Sequence, residues 1–386
     1  MLNNILMIYY QAGLAVSILQ FPFFGPRFLI SPPILSDSLW QASQQQNHLP
    51  DPPSGSVSRP GATRQWVHRY TECMNNWAER HAGDTEQHLD VETRIKVNAW
   101  LRVLPRRDDQ ALHELESLFL SVATGDRLHF DALPSSSGEF HLTSNRPDLV
   151  PCNSVQQAWA AFNNAIQPLH GHQTFRISAH LEKRIPEKTG LGGGSGDAGA
   201  ALLALNQLHG FPFCRHQLVA LATSLGSDVP FFVESGPCIV RGLGDRLEPL
   251  PSFSPHLTCC IALPPFRVDT RHAYDLLDGA MTNSGTSAVD PSVSLAVVLE
   301  ALQTLDPFFH SGSFRLNSFE ATLGENTASF LNIRSTLLAS GAILAGLSGS
   351  GSAVFGIYAE RAAAEAAALD VQQRVSAART FVAEIL

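Results

Sequence analysis

Residues 189–208 read TGLGGGSGDAGAALLALNQL. Glycines at 190, 192, 193, 194 and 196 leave the backbone without Cβ atoms, so consecutive N–H groups can converge on an anion. From residue 197 the apolar spacing predicts a helix to residue 208, with Ala198, Ala201, Leu202, Leu205 and Leu208 on one stripe and Gly210 just past its end. The N–H groups and positive dipole end of that helix face the place where the glycines converge. Together these describe a phosphate cradle; the alternative is a plain turn ahead of a helix. The cradle is not a Walker loop, because the chain has no Gly-Lys pair. Gly194, Gly196 and Gly199 formally match the dinucleotide fingerprint GxGxxG. That match is read as chance: Gly199 falls inside the helix, and the preceding strand ends too far upstream for the tight turn the fingerprint requires.

Three further features stand around this stretch. A second small-residue loop, GLSGSGS at 346–352, lies between the apolar runs AILAGL and AVFGIY; alone it reads equally as a β-turn, but two glycine loops in one chain favour joint enclosure of a ligand. In SLGSDVPFF, residues 224–232, Asp228 is expected to follow a helix and precede an apolar strand containing Pro230. There it either caps a turn or orients and deprotonates a substrate hydroxyl. In TRIKVNAWLRVL, residues 93–104, apolar Ile95, Val97, Ala99, Leu101 and Val103 alternate with Lys96, Asn98, Trp100 and Arg102, a half-buried strand with Lys96 on its polar face.

Farther out, the composition narrows the class. Hydrophobic residues make up 44% of 386, enough for two packed domains and an extra segment. A net charge of −9 argues against a nucleic-acid partner, whose phosphates need a basic surface. The cysteines show no CxxC pair and no zinc spacing, and adjacent Cys259 and Cys260 sit in an apolar run that reads as a buried strand with free thiols. A reducing cytoplasm is the simplest compartment. Strands are expected around 127–132 and 174–182, helices over 216–224 and 360–378, and a domain boundary in the Pro-rich stretch 247–256. Residues 1–90 differ: 1–26 carry an uncharged apolar run broken by polar residues and Pro22, and 31–64 are rich in Ser, Pro and Gln. Three readings fit them: a targeting leader, a membrane anchor, or sequence upstream of a start at Met74.

The order of these features (strand lysine, Pro186-x3-Gly190-Leu191 running into the glycines and Ser195, Gly226-x-Asp228, then Ser348-Gly349-Ser350-Gly351) resembles the GHMP small-molecule kinases. RIKVNAWL (94–101), LHELESLF (112–119), KRIPEKTGLGGGSGDAGAALLALNQL (183–208), LGSDVPFF (225–232) and LSGSGSAVFG (347–356) are most similar to the branch acting on 4-diphosphocytidyl-2-C-methyl-D-erythritol. The likeness runs from about residue 92 to the C-terminus. It implies an α+β, two-domain fold: an N-terminal α/β domain (ribosomal-protein-like) over residues 91–250 and a ferredoxin-like C-terminal domain over 251–386, with 1–90 an extension. It also implies ATP with Mg²⁺ arriving on the nucleotide. Lys96 and Asp228 then match the catalytic pair. Pro186, Gly190, Leu191, Gly192, Gly193, Gly194, Ser195, Gly196 and Asp197 match the ATP loop. His113 matches the reader of the cytosine edge, Tyr274 the ring stacked on that base, and Ser348, Gly349, Ser350 and Gly351 a substrate loop. Two positions depart from the pattern: Leu112 stands where that branch carries a stacking tyrosine, and Gly196 where it carries a serine. Two rival readings are a GHMP kinase of another alcohol and a non-catalytic binding module of the same fold. A dinucleotide-dependent oxidoreductase is the distant third.

Overall fold

The computed structural model describes residues 8–9, 15–16 and 86–386, apart from 107–111, 170–173, 235, 254–255, 285–288, 308, 310–313 and 376. The chain divides into two units, Met1–Thr85 with Gly210–Gln217, and Glu86–His209 with Leu218–Leu386. In the first, Ile8–Tyr9 pairs antiparallel with Ala15–Val16; the readings of the remaining N-terminal residues lie outside the described ones. The second unit carries everything below except the first three residues of one helix, Arg215–Gln217.

Its chain begins with β1 (Gln87–Glu92), β2 (Ile95–Val103), β3 (Leu115–Val122), β4 (Arg127–Pro134) and β5 (Phe140–Ser144). Helix α1 (Ser154–Ile166), β6 (Phe175–Glu182), α2 (Gly193–Leu208), α3 (Arg215–Thr223) and the short α4 (Val229–Glu234) follow. Strands β7 (Cys238–Gly242) and β8 (Arg246–Pro249) close this half. One sheet has the order β1-β4-β6-β5, with only β5 and β6 parallel. A second, antiparallel sheet has the order β8-β7-β3-β2. Helices α1 and α2 pack on each other. The predicted stripe of α2 is fully interior, as are Gly196, Asp197 and Gly199.

The rest of the chain runs β9 (Thr258–Leu263), α5 (Thr270–Ser284), α6 (Leu295–Thr304), α7 (Thr327–Ala339), β10 (Leu344–Leu347), β11 (Val354–Tyr358), α8 (Arg361–Arg374) and β12 (Arg379–Glu384). Its antiparallel sheet has the order β10-β11-β9-β12. Counted along the chain that is 2-3-1-4, the ferredoxin-like arrangement. Strand β9 shows why its sequence is apolar throughout. Cys259, Ile261 and Leu263 share a core with Ile95, Leu118 and Leu120 of the second sheet, while Cys260 and Ala262 pack with Ile333, Leu337, Ala367 and Val371 of α7 and α8. Both faces of the strand are covered, which removes any reason for a period of two. Cys259 and Cys260 are free and buried.

Three local expectations are corrected. Strand β2 does not keep its predicted alternation: the register shifts between Asn98 and Trp100, so Trp100, whose indole N–H donates to Val293 O at 3.1 Å, packs in one core with Ile95 and Val97, while Leu101 and Val103 pack in another. Lys96 and Asn98 are buried as well, which alternation within one strand does not reveal. The residues around Pro230 form α4, not a strand; proline is welcome in a first helical turn, where its missing N–H has no partner to lose. Helix α2 starts at Gly193 rather than at residue 197, because the glycines, poor helix formers in isolation, are held by packing.

Candidate active site

Helix α2 begins where the backbone turns through two left-handed glycines, Gly190 (φ +80°) and Gly192 (φ +68°). Gly196 N donates to Gly192 O at 2.8 Å, the first bond of the helix. The N–H groups of Gly193, Gly194 and Ser195 therefore have no carbonyl four residues back, and they point along the positive end of a 16-residue dipole. The glycines differ in why they lack a side chain. A Cβ on Gly196 would lie 2.1 Å from Arg94 O, and one on Gly199 2.7 Å from Phe232 Cβ, so both glycines allow close packing. A Cβ on Gly194 would meet only Ser154 Oγ at 3.9 Å, so its backbone is open to a ligand. A serine at 196 has no room here, so the departure at that position is a packing matter.

The second glycine loop is joined to the first. Ser348 Oγ donates to Gly190 O at 2.9 Å, Ala353 N donates to Thr189 O at 3.0 Å, and a Cβ on Gly190 would strike Ser348 O at 2.0 Å. Buried Asn317 donates to Leu347 O and Gly349 O at 2.7 and 2.8 Å. Ser350 Oγ pairs with Thr270 Oγ1 at 2.8 Å at the start of α5.

Strand β2 supplies the cation. Lys96 N donates to Leu191 O at 2.9 Å, which places the strand against the α2 turn. Its Nζ donates to Asn98 Oδ1 at 2.5 Å, lies 3.7 Å from Asp228 Oδ2 and sits over the Phe119 ring at 4.5 Å. Burial lowers the Lys96 pKa, and Asp228 partly restores it. Asp228 immediately precedes α4, with its side chain 29% exposed; the anion reaches solvent while its partner does not. Asn98 is a residue that sequence reading overlooked. Its carbonyl oxygen accepts from both Lys96 and Gly349 N (2.9 Å), and its amide donates to Ser117 Oγ (2.9 Å). An asparagine two residues from the lysine, on the same strand face, was the available signal.

Asp197 lies beneath the helix start. Lys183 Nζ donates to Asp197 Oδ2 at 2.8 Å and also to Asp126, whose Oδ1 accepts from the backbone of Arg184 and Ile185. Thr93 Oγ1 donates to Asp197 Oδ1 at 3.2 Å. Burial, then the Asp126 charge, pushes the Asp197 pKa up to about 7 against the pull of Lys183. Burial alone would lower Lys183, but Asp197 and Asp126 outweigh it and raise its pKa. Asp197 thus anchors the loop from below. Leu191 is wholly buried, and the Pro186 carbonyl closes a turn by accepting from Thr189 Oγ1 at 3.1 Å.

His113 and Tyr274 meet each other: their rings stack at 5.2 Å and 21°, His113 Nδ1 faces Leu104 O and Nε2 faces Asp278 Oδ1, each at 3.0 Å. Burial first, then the Asp228 charge, raises the Tyr274 pKa. Leu112 is 62% exposed. Among the described residues no helix is long and apolar enough to cross a membrane.

A helix start built from glycines, a buried lysine–aspartate pair and a second glycine loop over a ferredoxin-like half define a small-molecule kinase of the GHMP type. The family models for the GHMP kinases N terminal domain and the GHMP kinases C terminal match residues 153–236 and 298–377. A 4-diphosphocytidyl-2-C-methyl-D-erythritol kinase of Rhizobium johnstonii is 37% identical over 76% of this chain and 92% of its own. One from a Synechococcus strain is 34% identical over 68% and 83%. A crystal structure of 4-(cytidine 5'-diphospho)-2C-methyl-D-erythritol kinase superposes with a TM-score of 0.59 at 31% identity, covering 77% of this chain and 99% of that one. A mevalonate kinase from L. major, at 10% identity and a TM-score of 0.56 over 78% and 97%, shares the fold. The chain belongs to the 4-diphosphocytidyl-2-C-methyl-D-erythritol kinase family within the GHMP kinases.

Proposed function

We propose that this protein transfers the γ-phosphoryl group of ATP, carried with Mg²⁺, to a hydroxyl of 4-diphosphocytidyl-2-C-methyl-D-erythritol in the methylerythritol phosphate route to isoprenoids. The observation that carries the reading is Lys96 within 3.7 Å of Asp228 beside the open start of α2. The N–H groups of Gly193, Gly194 and Ser195 receive phosphate oxygens, and the Ser348–Gly351 loop closes over the same space. Asp228 accepts the proton of the attacking hydroxyl, while Lys96, held by Asn98, keeps that carboxylate in register and offsets charge gathering on the transferred group.

Magnesium supplies charge neutralisation across the phosphates. The side chains present fit an ion held mainly by the nucleotide. Both Asp197 oxygens are engaged by Lys183 and Thr93, and Asp228 faces Lys96. The half-exposed Ser195, on the first turn of α2, offers a hydroxyl.

His113 and Tyr274 take the cytidyl base, which requires Tyr274 to part from the ring on which it now stacks. With Leu112 at the third position, part of the clamp is aliphatic. A GHMP kinase of another alcohol is the alternative that this substitution favours. The test is a panel of 4-diphosphocytidyl-2-C-methyl-D-erythritol, mevalonate and homoserine with ATP and Mg²⁺. Phosphorylation of the cytidyl compound alone is expected; preference for either of the others overturns the assignment of substrate.

A further inference from the structure

We propose that the solvent face of the first sheet holds a divalent transition-metal ion, of the kind zinc represents, on His88, His129 and Asp131. The sequence writes a His-x-Asp pattern twice, His88-Leu89-Asp90 on β1 and His129-Phe130-Asp131 on β4. The two strands are antiparallel, and their register sets His88 opposite Asp131 and Asp90 opposite His129. Side chains two apart on a strand share a face, so all four project to one side of the sheet. One potential ligand atom from each of His88, His129 and Asp131 lies within 4.8 Å of the others. His88 Nδ1 is 2.6 Å and His129 Nε2 3.0 Å from the same oxygen, Asp131 Oδ1. Zinc binds imidazole nitrogen and carboxylate oxygen at about 2.0–2.2 Å, so small side-chain rotations admit an ion among the three.

What separates this cluster from a chance surface group is its surroundings. Histidine ligands commonly donate their second ring N–H to a carboxylate, which sets the tautomer and aims the free lone pair at the metal. His129 meets that condition: Nδ1 lies 2.7 Å from Asp90 Oδ1 while Nε2 faces the site. His88 turns its other nitrogen, Nε2, toward Glu86 Oε2 at 4.0 Å. His129 also lines an open groove with His180 and Glu182, which gives an ion a path in. Three protein ligands leave a position for water or a further side chain.

The consequence is mechanical. Strand β1 is the edge of its sheet, and its inward residues are only half-buried. An ion bridging β1 and β4 would hold that edge. It would also hold Thr93, the residue after β1, which donates to Asp197 and leads into the strand that carries Lys96.

The test uses the full chain, stripped of metal and titrated with zinc chloride in excess Mg²⁺. Because other histidines and cysteines occur in the chain, the reading is the difference between variants. The native protein is expected to bind one more zinc per chain than His88→Ala/His129→Ala, and Asp90→Asn to weaken that site about 10–100-fold. A second arm needs no substitution: zinc should slow amide hydrogen exchange in residues 87–92 and 127–134. Equal zinc stoichiometry in the native protein and the double variant, or no change in exchange of those strands, overturns the proposal.

Discussion

At the scale of single residues, position in a strand or turn says little until a partner is known. By alternation Lys96 falls on the polar face of its strand, yet it is buried against Phe119, Asn98 and Asp228. Asp228→Asn keeps the shape and removes the proposed base. Turnover is expected to fall roughly 10²-fold or more, with ATP affinity by calorimetry retained. The same change removes the charge that raises Lys96, so the alkaline limb of the residual rate should move to lower pH. Lys183 presents the opposite case, one cation between two buried carboxylates. Lys183→Met leaves them facing each other, and should cost about 3–5 kcal/mol in urea unfolding. Asp197, with its pKa up at about 7, binds more proton folded than unfolded between its ordinary 3.8 and that value. Its contribution therefore makes stability fall as pH rises through that window, and Asp197→Asn should flatten the slope.

At the scale of elements, the start of α2 shows that a glycine run is several devices in sequence. Gly190 and Gly192 turn the chain in the left-handed region, Gly193 and Gly194 leave N–H groups open, and Gly196 and Gly199 let α2 lie against Arg94 and Phe232. These roles separate in experiment. A Cβ at 193 meets Ile185 and Asp126 only at 3.5–3.8 Å, so Gly193→Val should fold while its branches crowd the phosphate site and raise the ATP KM more than they lower the melting temperature. Gly196→Ala forces a carbon to 2.1 Å from a carbonyl oxygen; here the melting temperature should drop first. If both variants change only KM, position 196 faces the ligand and the helix start is misread.

At the scale of the whole molecule, the site is assembled from distant segments. Asn98 and Gly349 are joined across 251 positions, and Gly190 and Ser348 across 158. Asn98→Ala should therefore act at two places: it removes the acceptor for Lys96 and leaves Gly349 N without its side-chain oxygen. A stability loss of about 1–3 kcal/mol from the orphaned groups, together with a fall in kcat, is expected; a loss of stability with unchanged kcat would remove Asn98 from the site. Every site residue lies between Lys96 and Gly351, so a chain beginning at Met74 should retain kcat. Loss of activity in that truncation would assign the N-terminal segment a part in the kinase body.

The residues of the kinase pattern could be read directly from the chain, because glycine density, a strand lysine and an Asp after a Gly-x step are local properties. The period-two runs gave β2, β4 and β6 for the same reason. Burial of β2 could not be read, since the residues that share the core of Ile95, Val97 and Trp100, among them Val293 and Val298, and the 316–318 segment bonded to its free edge come from the other half. Nor could the helical state of Gly193–Gly196, which packing against Arg94 imposes over poor propensity, or the helix after Asp228, where the apolar run containing Pro230 read as a strand. Lys183 and Asp126 have no local signature; each takes its role from charges and backbone groups that only folding brings within hydrogen-bond distance.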